Sequence, residues 1–252
     1  MQGEAANDRT VLRISGPERQ RFLQGLVTND VSSLDGRMVY AAFLTPQGKY
    51  LADFFLSERD DAILLDVKDT LAEGLSRRLA MYKLRAKVDV APSGLHVLRG
   101  VGTPPEGALP DPRDPALGWR AYADAPGTEG ATDWEALRVA HCIPETGIEL
   151  IPDETFILEA GFDRLNGVDF RKGCYVGQEV TARMHHKTEL KKGLVTVAIA
   201  GEVPVGTDIL AEGKPAGRLF TQSAGRGIAH LRFDRAQGPM TADGVAVTWD
   251  DG

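Results

Sequence analysis

Cysteine is scarce in this sequence: its 252 residues include only Cys142 and Cys174. Two thiols rule out a disulfide framework and a four-thiolate metal site. Such a pair suits a reducing compartment, and a cytoplasmic location is expected. No apolar run approaches the roughly 18 residues that a bilayer crossing needs, so no membrane partner is expected. The opening MQGEAANDRT has neither an apolar core nor basic amphipathic character, and neither a signal nor a transit peptide is expected. Positive charge is short as well. Lys and Arg number 29 against 36 Asp and Glu, and a net charge of −7 argues against general affinity for nucleic acid. The remaining composition, 42% hydrophobic and 26% charged, is that of an ordinary soluble globular protein.

The order of elements points to an α+β fold. Thr10–Ile14 predicts a short strand, and Ser15-Gly16-Pro17-Glu18 predicts a capping box that opens a helix. Phe22, Leu23 and Leu26 form that helix's apolar face, and it stops at Thr28-Asn29-Asp30. Strands are predicted at Met38–Leu44, Tyr50–Leu56 and Ala62–Val67, the first two joined by the turn Thr45-Pro46-Gln47-Gly48-Lys49. An amphipathic helix follows over Asp69–Leu84, with Leu71, Leu75 and Leu79 four apart, and then strands at Lys87–Val90 and Gly94–Arg99. This is the order of a split βαβ unit. Prolines 104, 105, 110, 112 and 115 mark a connection over residues 102–116. A second helix with its own capping box, Thr132 and Glu135, runs to about Cys142. From Glu189 onward, short apolar runs between glycine turns predict a small β-barrel.

The stretch Arg171–Lys187, RKGCYVGQEVTARMHHK, concentrates the chemistry. Cys174 lies near Gly173 and Gly177, and glycines there predict a tight turn or room for an approaching group. Arg171, Lys172, Arg183 and Lys187 bracket the thiol, and Gln178-Glu179 open a helical turn. Cations and a helix N-terminus lower a thiol pKa. A lone cysteine is otherwise buried packing, the role expected for Cys142. Residues 171–192 hold six Lys and Arg against Glu179 and Glu189, a net of +4. RNA contact by this segment is therefore a further reading, although a solvated face is the default. The pair His185-His186 has poor geometry for joint metal ligation, since neighbours on a helix point about 100° apart. No metal site is expected.

The octapeptide Lys172-Gly173-Cys174-Tyr175-Val176-Gly177-Gln178-Glu179 resembles the signature of the YgfZ-type folate-binding proteins, relatives of the glycine cleavage T protein. The family writes lysine, glycine, cysteine, an aromatic, a variable residue, glycine, glutamine and an acid. Phe22–Val31, Tyr82–Val88, and Leu137-Arg138 with Ile143-Pro144 are similar to further stretches of that family. The resemblance implies two related split-βαβ-like modules that form a folate-binding core, residues 1–190, with sub-modules near 1–100 and 117–190. A C-terminal barrel, residues 191–252, closes it. The implied cofactor is tetrahydrofolate or a one-carbon-substituted reduced folate. The implied role is iron–sulfur cluster assembly or repair, with iron–sulfur proteins or assembly factors as partners. Cys174 and Asp53 are the implied reactive groups. Asn29, Asp30, Arg138, Lys172, Tyr175, Gln178 and Glu179 are the implied folate contacts.

Two departures bear on the alternative activity, aminomethyl transfer to folate. T proteins carry an Asp-Asp pair where this chain has Ala52-Asp53. They also carry Leu-Arg-x-Glu where it has Leu137-Arg138-Val139-Ala140. Both count against the transferase, and whether the chain is an enzyme stays open. Asp53 shares a strand face with Leu51 and Phe55, and an acid in such company needs a partner or a function. The other reading places it at a sheet edge, bonded to a loop. Arg13, Arg85 and Arg138 could meet a folate glutamate tail or form structural ion pairs. A cysteine hydrolase using Cys174 with His185 or His186 lacks an orienting acid.

Overall fold

A computed structural model describes residues 3–187 and 190–250, without the side chain of Lys187. Of the basic segment considered above, Glu189 and the Lys187 side chain lie outside the described residues. Packing divides the chain into two compact units, Met1–Thr132 with Asp163–Glu179, and Asp133–Phe162 with Val180–Gly252.

The first unit contains β1 (Glu4–Ala5), β2 (Arg9–Ser15), α1 (Arg19–Gln24), β3 (Met38–Leu44), β4 (Tyr50–Arg59), β5 (Ala62–Lys68), α2 (Asp69–Lys83), β6 (Asp89–Pro92), β7 (His96–Gly100), β8 (Leu109–Pro110) and β9 (Trp119–Ala123). One antiparallel sheet runs β3-β4-β5-β2-β6, and a smaller one runs β1-β7-β9-β8. Strands β3 and β5 and the first part of β4 are buried on both faces, which explains their almost unbroken apolar sequences. The period of two sorts their side chains. Val39, Ala41, Phe43, Ala52, Phe54, Leu56, Ile63, Leu65 and Val67 join the core that Leu23 of α1 and Leu75 and Leu79 of α2 complete. Each fully buried leucine there contributes about 1.5–3 kcal/mol. The opposite face carries Tyr40, Asp53, Phe55 and Asp66, also buried.

Neither expected capping box forms. Ser15 is the last residue of β2, paired with Ala62 and Asp89. The Glu18 carboxylate accepts the Lys87 N–H at 2.7 Å rather than an N–H of α1. Glu18 thus ties the start of α1 to the segment after α2, and the strand expected from Lys87 begins at Asp89. Helix α1 also ends at Gln24, before Thr28.

The second unit contains α3 (Trp134–His141), most of α4 (Gln178–Lys187), and six strands: β10 (Lys192–Ile199), β11 (Asp208–Ala211), β12 (Lys214–Ser223), β13 (Arg226–Arg232), β14 (Met240–Ala242) and β15 (Val245–Thr248). At α3, Asp133 provides the cap, accepting the Ala136 N–H at 2.8 Å, while the Thr132 hydroxyl donates to Glu4 at 2.8 Å. The strands form a closed barrel in the order β10-β13-β12-β11-β14-β15, and β15 returns to β10 through Ala198↔Thr248 and Ile199↔Val247. Closure leaves no free edge. The barrel is filled by Val197, Ile209, Leu219, Leu231, Met240 and Val247.

Candidate functional site

The cysteine loop belongs to the first unit and is pinned at both ends. On one side, the Lys172 ammonium donates to the carbonyls of Gln24 (2.9 Å), Val27 (2.6 Å) and Asn29 (2.8 Å). These oxygens lie at and just beyond the end of α1, where carbonyls lack helical partners. Burial lowers the Lys172 pKa to about 8, against the pull of the Asp30 and Asp169 carboxylates. On the other side, Gly177 has φ +84°, and a Cβ there would stand 2.5 Å from the Thr45 carbonyl oxygen. Only glycine lets the loop lie on the β3–β4 turn.

Between the pins the loop is open. A Cβ on Gly173 would meet nothing within 4 Å, so the chain's own packing does not require glycine there. Cys174 is exposed. Tyr175 turns inward to 8% exposure, with the Lys172 ammonium 5.1 Å from its ring centroid. Gln178 and Glu179 open α4 as expected from the sequence, the first half-buried and the second exposed.

Asn29 and Asp30 line a cavity of 620 Å³ in the same unit, together with Arg37, Tyr40, Asn166 and Asp169 among others. The Asn29 amide donates to the carbonyls of Tyr40 (2.8 Å) and Asn166 (2.6 Å), and its oxygen accepts the Asp30 N–H at 2.8 Å. Asp30 accepts from the Ser32 hydroxyl (2.7 Å) and the Gln24 amide (2.7 Å). The Ser32 bond is the main reason its pKa falls below the usual value, with Lys172 adding to the effect. Beneath them Thr28, fully buried, donates to the Gly167 carbonyl at 2.7 Å and so joins two distant segments. Arg171 lines the cavity too, and from there the chain leads into the cysteine loop. Cys174 itself is not part of the lining.

Asp53 has the partner that its apolar company demands, but not at the sheet edge of the other reading. It lies on β4, between β3 and β5, and not at a sheet edge. Both of its oxygens are engaged, accepting from Tyr50 at 2.7 Å and Tyr40 at 3.0 Å, and the residue is 4% exposed. Burial first, then the Asp53 charge, pushes the Tyr40 hydroxyl well above its ordinary pKa. Ala52 points the other way, into the apolar core.

Beside Asp53 lies a buried ionic layer that sequence reasoning missed. Asp66 pairs with Arg9 (2.6 Å) and Arg120 (3.0 Å), and Asp111 pairs with Arg113 (2.8 Å) and Arg120 (3.1 Å). All three guanidiniums stack near the Phe55 ring, Arg120 at 4.0 Å. Burial raises the Asp111 pKa, but Arg113 and Arg120 outweigh it and hold the carboxyl at about 2. Asp111 and Arg113 flank Pro112, whose carbonyl accepts from Asn166 at 2.9 Å, so this layer sets one wall of the cavity. One signal was available: Asp66 interrupts an otherwise apolar strand. Asp111 and Arg113 were hidden in the proline-rich connection.

Arg138 belongs to the second unit and makes a structural ion pair. Its guanidinium donates to Glu149 at 2.7 Å, to the Ile143 carbonyl at 3.1 Å and to Thr221 of β12 at 3.3 Å. Cys142 caps α3 with φ 50° and packs with Val139, Leu194 and Ile228. A larger cavity of 810 Å³ in that unit, bordered by Glu159, Lys192 and His230, includes none of the implied reactive groups or folate contacts. His185 and His186 contact each other edge to face, and among the described residues no cluster of three His, Cys, Asp or Glu could hold a metal.

Comparison with known proteins adds the family. The model of the CAF17 C-terminal beta-barrel domain matches residues 191–251. A crystal structure of glycine cleavage system aminomethyltransferase T from Bartonella henselae superposes with a TM-score of 0.77 over 98% of this chain and 86% of that one. At 13% identity, this shows the fold alone. The mitochondrial iron–sulfur cluster assembly factor IBA57 of Mus musculus is 31% identical over 92% of this chain and 78% of its own. The chain belongs to the IBA57 family. The IBA57 homolog of Mycosarcoma maydis is 34% identical over 78% of this chain and 57% of its own length. The resemblance to YgfZ-type proteins thus resolves to an IBA57-type chain with the aminomethyltransferase fold. The cytoplasmic expectation is corrected as well, because these IBA57 relatives are mitochondrial by name. Two free thiols point to a reducing compartment, and such compartments are not confined to the cytoplasm.

Proposed function

We propose that this protein acts in iron–sulfur cluster assembly or repair, with Cys174 lending a thiolate to a cluster that a partner protein carries. The relatives named as assembly factors support the role. The observation that carries the part of Cys174 is its exposure on a loop whose flanks, Lys172 and Gly177, are fastened while its neighbour Gly173 leaves open space. Common clusters use four thiolates, so one cysteine works only with ligands that the partner brings. The cluster is therefore cargo, shared during transfer.

The cavity in the first unit supports a reduced folate, tetrahydrofolate or a one-carbon-substituted form, as the cofactor. Its 620 Å³ is within the range of small-molecule sites. The Asp30 carboxylate suits the ring N–H groups of a pterin, and Arg37 suits a glutamate tail. Asn29 holds this wall in shape through its bonds to Tyr40 and Asn166. A bound reduced folate supplies an electron-rich ring and a carrier for one-carbon units. Aminomethyl transfer gains no support from Asp53, whose two oxygens face tyrosine hydroxyls.

Complementation tests the role. In cells lacking the corresponding assembly factor, the wild-type chain restores iron–sulfur enzyme activity, while Cys174→Ala and Cys174→Ser do not, despite unchanged melting temperatures. Full rescue by Cys174→Ala would remove the thiol from the mechanism. For the cofactor, a reduced folate at 100 times its dissociation constant adds about 2.7 kcal/mol of stability. No shift with any reduced folate refutes folate binding and leaves the assembly role standing.

A further inference from the structure

The end of α2 carries features that the fold does not explain. Leu84 closes the helix at φ 44° and ψ −104°, a conformation natural to glycine and strained for leucine. It is 88% exposed, and Met81 beside it is 64% exposed, so neither side chain is used in the core. From Gly74 to Val88 there is no acidic residue, while Arg77, Arg78, Lys83, Arg85 and Lys87 fall within it, in a chain of net charge −7. Arg77 pairs with Glu73. Among the described residues the other four have no ion pair. Lys83 complements the helix dipole, but Arg85 and Lys87 lie beyond the helix end.

This surface and the cysteine loop rest on the same corner. Tyr82 of α2 meets Phe43 of β3 edge to face at 5.7 Å. Phe43 leads directly into Leu44 and Thr45, against which Gly177 is fitted, and Val176 packs on the core that contains Phe43. We propose that the α2 end, with Leu84 and Met81 as its apolar centre and Arg78, Arg85 and Lys87 as its charges, docks an acidic protein partner bearing an apolar anchor, and that this docking brings the partner's cluster-ligating thiols to Cys174. The proposal rests on the role given to Cys174 above. Charge complementarity selects an acidic occupant, and the exposed leucine and methionine select a protein over a nucleic acid, whose backbone offers them nothing.

The probe is an amphipathic peptide of glutamate and leucine with one cysteine, held as its thionitrobenzoate mixed disulfide. The Cys174 thiolate attacks the peptide sulfur, the new disulfide joins protein to peptide, and thionitrobenzoate leaves with the electron pair and is read by its absorbance. The acidic peptide reacts at least about tenfold faster than a version with glutamine for glutamate, and salt erases the advantage. Arg78→Glu with Arg85→Glu abolishes the advantage, and separately Leu84→Gly slows both peptides, each leaving alkylation of Cys174 by iodoacetamide unchanged. Leu84→Gly relieves backbone strain, so its melting temperature stays level or rises and unfolding cannot account for the loss. Equal rates for the two peptides, an advantage that survives the charge reversal, or peptide rates that Leu84→Gly leaves unchanged overturn the proposal. So does a patch that binds a single-stranded oligonucleotide or phosphatidylserine vesicles but not the peptide. In complementation, failure of Cys174→Ala with full rescue by Leu84→Gly and by the double charge reversal refutes the docking surface alone. Rescue by Cys174→Ala refutes the cysteine role itself.

Discussion

The two cysteines sit in regions built on opposite principles. Cys142 is part of what holds its surroundings together. Its backbone N–H closes α3 on the carbonyls of Arg138 and Val139, and its side chain fills a gap against Leu194 and Ile228. Among the described residues Cys174 holds nothing. Lys172 fastens one side of its loop and Gly177 seats the other, and the thiol between them is left out of the packing. A side chain excused from packing is free to meet something else, and the stability of the loop is assigned to its neighbours. The contrast also separates the glycines of the motif. Gly177 is demanded by the chain's own backbone, whereas Gly173 has open space beside it.

The comparison breaks most visibly in thiol chemistry. Native-state alkylation, followed by mass spectrometry, labels Cys174 at least about a hundredfold faster than Cys142, the factor imposed by a local opening of about 3 kcal/mol. Labelling of both at one rate would erase the distinction. Next in size, Gly177→Ala lowers stability by about 3 kcal/mol, because a Cβ meets the Thr45 carbonyl at a positive φ, while Gly173→Ala stays within about 0.5 kcal/mol. Urea unfolding of the two variants checks this, and equal losses would remove the argument from Gly173. Lys172→Met strands three carbonyls near the end of α1 and costs about 2 kcal/mol. It also loosens the loop, read as faster hydrogen exchange at residues 172–176.

A further effect is a pH slope. With a native Lys172 pKa of about 8 and an unfolded value near 10.5, the unfolded chain binds the additional proton between those limits. Stability from this group therefore rises with pH across that window, and Lys172→Met removes the slope. A slope that persists in the variant would assign it to another group.

What the sequence determined by itself is whatever depends on short range and on pattern. The octapeptide around Cys174, the turn between β3 and β4, the leucine stripe of α2 and the glycine-punctuated barrel strands all follow from residues within a few positions of one another. Periodicity and backbone permissiveness act at that distance. Contacts across the chain were decided only by the tertiary structure. Glu18 looked like a helix cap and instead holds Lys87. Lys172 looked like a ligand contact and instead holds carbonyls more than 140 residues earlier. Arg138 is satisfied by Glu149, and Asp53 by two tyrosines, one of them on the neighbouring strand. A buried charge takes whichever partner the fold brings within about 3 Å, and that choice is made only when distant segments meet.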